Sequence, residues 1–179
     1  FIGSGLSIAL ANQKISIRRT TRSPSEQPNA VVTGCIDGTN NWYQALAGIR
    51  CIVHLAARVH IVAESAVDPL AEFRRVNVDG TLNLAQQAAQ AGVRRFVFLS
   101  SIKVNGEDTS NGRRFDCNDA PNPSDPYGLS KYEAEVGLRR IAEETGMEVV
   151  IIRPVLVYGP GVKGNFLAMM RWLHREIPL

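Results

Sequence analysis

Three short apolar runs, CIVHL (51–55), FVFLS (96–100) and EVVII (148–152), limit the fold of this chain more than any other feature. Runs of that length, without polar alternation, predict strands buried on both faces, as in a parallel sheet. The segments between them, 69–91 and 126–145, carry helical patterns far too long for hairpin connections. Parallel strands need such crossovers, and their connections are right-handed.

The rest of the chain fits that frame. A helix is expected over 2–11, a strand over 14–18 (KISIR), a strand core at 31–32 ending at Gly34, a short helix over 41–47 and a last helix over 166–176. Gly48, Gly92 and Gly146 stand where helices stop, and Ser124, Asp125 and Pro126 supply caps and a first-turn proline for the helix over 126–145. The expectation is an α/β, Rossmann-type doubly wound parallel sheet with helices on both faces, in one domain over 1–179. Ligands of such sheets sit at the carboxyl ends of the strands. That draws attention to Arg18, Arg19, Asp37, residues 54–58, 100–103 and 153–160.

Composition excludes several classes. The net charge is only +3, and the basic residues come as scattered pairs rather than one stripe, which argues against nucleic acid as the main partner. No stretch approaches the roughly 18 consecutive apolar residues of a membrane helix. The three cysteines, Cys35, Cys51 and Cys117, have no metal-binding spacing and are expected to be reduced thiols of a cytoplasmic protein. No metal site is expected. The loop over 105–126 is long for a compact domain, a length usually tied to function.

One constellation carries chemistry. Tyr127 and Lys131 stand four residues apart at the start of a helix, which puts both side chains on one face. A phenol is a poor base at neutral pH, and a fixed cation beside it favours the phenolate. The pair is a candidate general acid/base. The strand over 96–100 delivers two hydroxyls, Ser100 and Ser101, to its carboxyl end, where one can bond the same substrate oxygen as the tyrosine.

With these residues in place, the chain resembles the extended short-chain dehydrogenases/reductases, in the NAD(P)-dependent nucleotide-sugar epimerase/dehydratase branch of UDP-glucose 4-epimerase-like type. FIGS (1–4) resembles the end of the family's TGATGFIGS dinucleotide loop. CIVHLAA (51–57), NVDGT (77–81), FVFLSSIKVNGE (96–107), PYGLSKYEAE (126–135) and IIRPVLVYGPG (151–161) follow in family order. The resemblance implies that Tyr127 is the catalytic acid/base, that Lys131 lowers its pKa and binds the nicotinamide ribose, and that Ser101 is the catalytic hydroxyl with Ser100 its neighbour. It places Phe1, Ile2 and Gly3 at the pyrophosphate loop, Asp37 near the adenine, Leu55, Ala56 and Ala57 along the cofactor groove, Asn77 beneath the site and Pro154 against the nicotinamide. Arg58, Lys103 and Val155 become candidate substrate contacts.

The resemblance also carries expectations about specificity and extent. SSIKVNG departs from the family's SSxxVYG at Lys103 and Asn105. The sequence at 102–103 is not the acidic pair of a dehydratase. KISIRRTTR (14–22) has no carboxylate for a ribose 2′-hydroxyl, and Arg18, Arg19 and Arg22 favour NADP over NAD. The family pattern places a central strand and two further glycines before FIGS, and a smaller substrate domain after residue 179, so a fragment of a longer chain is expected. The implied activity is 4-epimerisation or 4-keto reduction of a nucleotide sugar, with hydride transfer at C4. A dehydratase, or a non-catalytic NAD(P)-binding regulator on the same fold, is the alternative. By analogy with relatives, the helices over 69–91 and 126–145 would pair across a homodimer.

Overall fold

The computed structural model describes residues 1–25, 29–59, 68–109, 112–162 and 164–175. They divide into two compact units: Ile17–Pro154, and a second unit drawn from the residues before and after it.

The Ile17–Pro154 unit holds all five strands, and every pairing is parallel. β1 (Arg19–Thr21) pairs with β2 (Ala30–Val32), Thr20 opposite Val31. β3 (Cys51–His54), β4 (Arg95–Leu99) and β5 (Glu148–Ile152) form a second sheet in the order β3-β4-β5, with Val53 opposite Val97 and Val97 opposite Val150. Helices lie between β2 and β3, between β3 and β4 and between β4 and β5, as in a Rossmann-like α/β fold.

In the second unit, α1 (Ile2–Asn12) runs as expected, with Phe1 just before its first residue. It ends where Lys14 takes a left-handed φ of 58°. The strand expected over 14–18 is not formed there: residues 15–18 carry no ladder, and pairing begins at Arg19. The alternation of KISIR falls on a connecting segment, because β2 offers its partners only from Arg19 onward.

The other helices are α2 (Tyr43–Leu46), α3 (Pro69–Arg74), α4 (Gly80–Gln90), α5 (Pro126–Thr145) and α6 (Gly164–His174). The single helix expected over 69–91 is interrupted by a π-helical turn, Arg75–Asp79, which buries the Asn77 side chain. Such turns are common at functional sites. α5 starts and stops as its sequence predicts. Asp125 Oδ1 accepts from the Gly128 N–H, Pro126 occupies the first turn, and Gly146 closes the helix at φ 72° with its N–H on the Ala142 carbonyl.

The core lies between the β3–β5 sheet and α4 and α5. Phe96 and Phe98 of β4 are fully buried against Ala85, Ala88, Ala134 and Leu138, whose small or slender side chains keep the two helices close. Trp42, Leu46, Val93, Ile141 and Met147 extend it. The expectation of strands buried on both faces fails for β3 and β5. Val53 is 41% exposed, Val150 40% and Ile152 45%. Each of these two strands pairs on one side only, and only alternate residues meet the helices. No helix among the described residues is long and apolar enough to cross a membrane.

Candidate active site

The carboxyl end of β4 and the first two turns of α5 build the site. Past Leu99 the β4–β5 ladder continues: the Ser100 N–H donates to the Ile152 carbonyl at 2.7 Å, and the Ile102 N–H to the Pro154 carbonyl at 3.0 Å. Ser101 then caps a short 3₁₀ turn, Ile102–Val104. Its hydroxyl faces the Tyr127 phenol and favours the ionised form. An edge contact with Phe73 of α3, ring centroids 6.0 Å apart, closes the other flank of the tyrosine.

Burial holds the Tyr127 phenol above its ordinary value of 10, outweighing the Ser101 hydroxyl, which favours the ionised form; Asp125 adds to the rise and Lys103 opposes it. The cation expected to lower this group was Lys131. Lys131 instead lies one turn along α5 with its ammonium 4.0 Å from the centroid of the Phe98 ring, and it is only 2% exposed. Burial lowers its own pKa from 10.5 to about 7, with Glu135 opposing. Its ammonium has no hydrogen-bond acceptor among the described residues.

Two polar networks fix these groups. In the first, the Asn77 amide spans three segments. Its Nδ2 donates to the Arg58 carbonyl and to Ser130 Oγ, both at 3.0 Å, and its Oδ1 accepts from the Arg58 N–H at 2.8 Å. Ser130 Oγ donates in turn to the Tyr127 carbonyl at 2.8 Å. Asn77 thus ties the loop after β3 to the helix that carries Tyr127. In the second, Glu135 is 1% exposed and accepts from Ser100 Oγ at 2.6 Å and from Arg153 Nε and Nη2 at 2.9 and 2.6 Å. Arg153 Nη1 donates to Asn105 Oδ1 at 3.0 Å. Sequence reasoning gave Glu135 no role. Its signal is spacing: Tyr127, Lys131 and Glu135 recur every four residues on one helix face.

His54, at the end of β3, is buried between Phe96 and Phe98, with Nε2 3.0 Å from Thr81 Oγ1. Burial first, and Lys131 second, lower its pKa from 6.5 to about 3. Below pH 6.5 the unfolded chain takes up a proton that folded His54 refuses, so stability is lost as pH falls from about 6.5 towards 3. The expected slope is up to about 1.4 kcal/mol per pH unit. Urea titrations at several pH values should show this slope in the wild type and a shallower one in His54→Gln. Equal slopes would remove His54 as the source.

The remaining candidates are dispersed. Leu55, Ala56 and Ala57 follow β3, Ala56 exposed and the other two half-buried. Asp37 Oδ1 accepts from the Thr39 N–H and hydroxyl, the first of which chiefly lowers its pKa. Arg18 Nη1 donates to the carbonyls of Ala47, Ala45 and Gln44 at 2.7, 3.0 and 3.5 Å, so this guanidinium caps the carboxyl end of α2. Arg19 opens β1. Lys103 faces Asp125 and Glu107. Phe1, Ile2, Gly3 and Val155 belong to the other unit; Phe1 is half exposed and Val155 is exposed.

The chain has counterparts among known proteins. Residues 1–176 match the model of the NAD dependent epimerase/dehydratase family. The chain belongs to this family. A UDP-glucose 4-epimerase from Vibrio cholerae is 43% identical over the whole chain, which spans 56% of that protein. A solved structure of MoeE5 with UDP-glucuronic acid and NAD superposes with a TM-score of 0.80 at 29% identity, covering 100% of this chain and 60% of that one. A short-chain dehydrogenase/reductase superfamily protein from Agrobacterium tumefaciens with bound NAD gives 0.73 at 32% identity, over 86% of this chain and 45% of that one.

Proposed function

We propose that the protein is an NAD(P)-dependent nucleotide-sugar 4-epimerase, acting on a UDP-hexose. The observation that carries this is the Ser101 hydroxyl facing the Tyr127 phenol at the end of β4, with Lys131 one helical turn away. The similarity to a UDP-glucose 4-epimerase supports the sugar and the position of reaction.

The Lys131 ammonium, on a side chain 2% exposed and with no hydrogen-bond acceptor among the described residues, is the test of fit for a nicotinamide dinucleotide. Its N–H groups are donors without a protein acceptor, and ribose hydroxyls are the acceptors they lack. The residues fit the group: Lys131 would hold the nicotinamide ribose, Ala56 and Ala57 would line the groove, Pro154 would lie against the nicotinamide and Asp37 near the adenine. When bound, the cofactor supplies a hydride acceptor and donor.

The chain's own residues manage the proton. Tyr127 takes the proton of the sugar 4-hydroxyl and later returns it. Ser101 donates to the same oxygen and holds it in line with the phenol. Asn77, through Ser130, keeps the tyrosine helix in register with the loop after β3. A charged Lys131 beside a bound dinucleotide favours the phenolate. A dehydratase would need an acid next to the serine strand, and Ile102 and Lys103 stand there instead.

Arg18 already serves the α2 carbonyls through Nη1. A preference for NADP therefore rests on Arg19 and Arg22 and is expected to be small. A fluorescence titration with NADPH and NADH reads it, and a strong NADH preference would remove it.

The function is tested by supplying UDP-glucose or UDP-galactose to the protein that carries these residues. Each should give the same mixture of both. No interconversion, with the dinucleotide bound, would overturn the assignment.

A further inference from the structure

Lys103, two residues beyond Ser101, has no part in the acid/base scheme, yet it touches both of its halves. Its ammonium lies 2.5 Å from Asp125 Oδ2 and 3.2 Å from Glu107 Oε1. Ser124 donates to the same Glu107 oxygen at 2.7 Å. Asp125 caps α5 through its other oxygen, 2.5 Å from the Gly128 nitrogen, and Tyr127 is the second residue of that helix. On the other side, the Lys103 N–H donates to Ser101 Oγ at 3.3 Å. The approach is close. A Cβ on Gly128 would stand 3.0 Å from the Lys103 carbonyl oxygen, so a glycine is what lets the turn and the helix meet.

Resting on the acid/base reading above, we infer that Lys103 is a positioning residue: clamped by Asp125 and Glu107, it holds the Ser101 turn against the first turn of α5 and keeps a positive charge beside Tyr127. The pairing with Asp125, first, and with Glu107 raises the pKa of Lys103, so it stays charged through the neutral range. Among the described residues, Ser101 and Lys103 face Tyr127 from the turn after β4, Asp125 from its own helix cap and Phe73 from α3. Lys131 keeps its ammonium on Phe98. An exposed ion pair contributes little to folding by itself. The effect to look for is on Tyr127.

Lys103→Met removes the charge and keeps the length; Lys103→Arg restores the charge; Asp125→Asn removes the opposite charge and keeps a cap acceptor. Ionisation of Tyr127 is read by tyrosinate absorbance in the substrate-free protein, each variant referenced to the same variant with Tyr127→Phe. In Lys103→Met, Tyr127 should ionise at higher pH than in the wild type. In Asp125→Asn it should ionise at lower pH, and Lys103→Arg should match the wild type. A merely structural role moves the first two in the same direction or neither, and that result overturns the inference. If Lys103→Met does not fold, an unchanged or alkaline-shifted Tyr127 in Asp125→Asn overturns it alone.

With UDP-hexose, kcat of Lys103→Met at neutral pH should fall roughly tenfold with KM within about twofold. A raised KM at unchanged kcat would make Lys103 a substrate contact and overturn the positioning role. Opposite-signed shifts in Lys103→Met and Asp125→Asn, together with a wild type that converts no UDP-hexose, would sink the proposed reaction and leave the positioning role supported.

Discussion

Replacing Tyr127 by Phe should lower turnover of a UDP-hexose roughly a hundredfold to ten-thousandfold, the usual contribution of a positioned acid/base. Only the hydroxyl is lost. The ring keeps its edge contact with Phe73, and the Tyr127 carbonyl still accepts from Ser130. The fold and the dinucleotide affinity should therefore hold within a few-fold. Steady-state kinetics together with an NADH fluorescence titration check both halves. Near-normal turnover in this variant would take Tyr127 out of the chemistry.

Phe98→Ala should be the most damaging single change to stability, by about 3–5 kcal/mol in urea denaturation. Phe98 is fully buried between His54, stacked at 6.0 Å, and Lys131, whose ammonium rests on its ring face. Truncation opens a cavity and removes the ring on which the Lys131 ammonium rests. A loss below about 1 kcal/mol would mean that α4 and α5 collapse onto the space. The same variant should move the Lys131 pKa back up from about 7, because water then reaches the ammonium.

The elements that the sequence made legible share a cause: their signals are local. α5 is the clearest case, since Asp125, Pro126 and Gly146 each act within one turn of the helix end. The positions of Ser101, Tyr127 and Lys131 were legible because strand direction sets the first at the end of β4 and a four-residue spacing sets the other two on one helix face. Features that depend on distant partners were not. KISIR alternates like a strand, but its ladder begins only at Arg19, where β2 supplies partners. Arg18 read as a phosphate ligand until α2 brought three carbonyls to it. The π-helical turn at 75–79 leaves no mark in the sequence, because it follows from Asn77 reaching Arg58 and Ser130. Glu135 drew no reading from the sequence, and only the meeting of α5 with the ends of β4 and β5 gives it Ser100 and Arg153. The charge state of Tyr127 belongs with these, since burial is a property of the assembled site.

The most direct measurement of the central claim follows one atom. UDP-glucose carrying deuterium at C4 is given to the protein, and the product is read by NMR. A 4-epimerase that takes the hydride from C4 and returns it within the same site should yield UDP-galactose with the deuterium still at C4. UDP-galactose without deuterium, or a product changed at another carbon, would contradict the account.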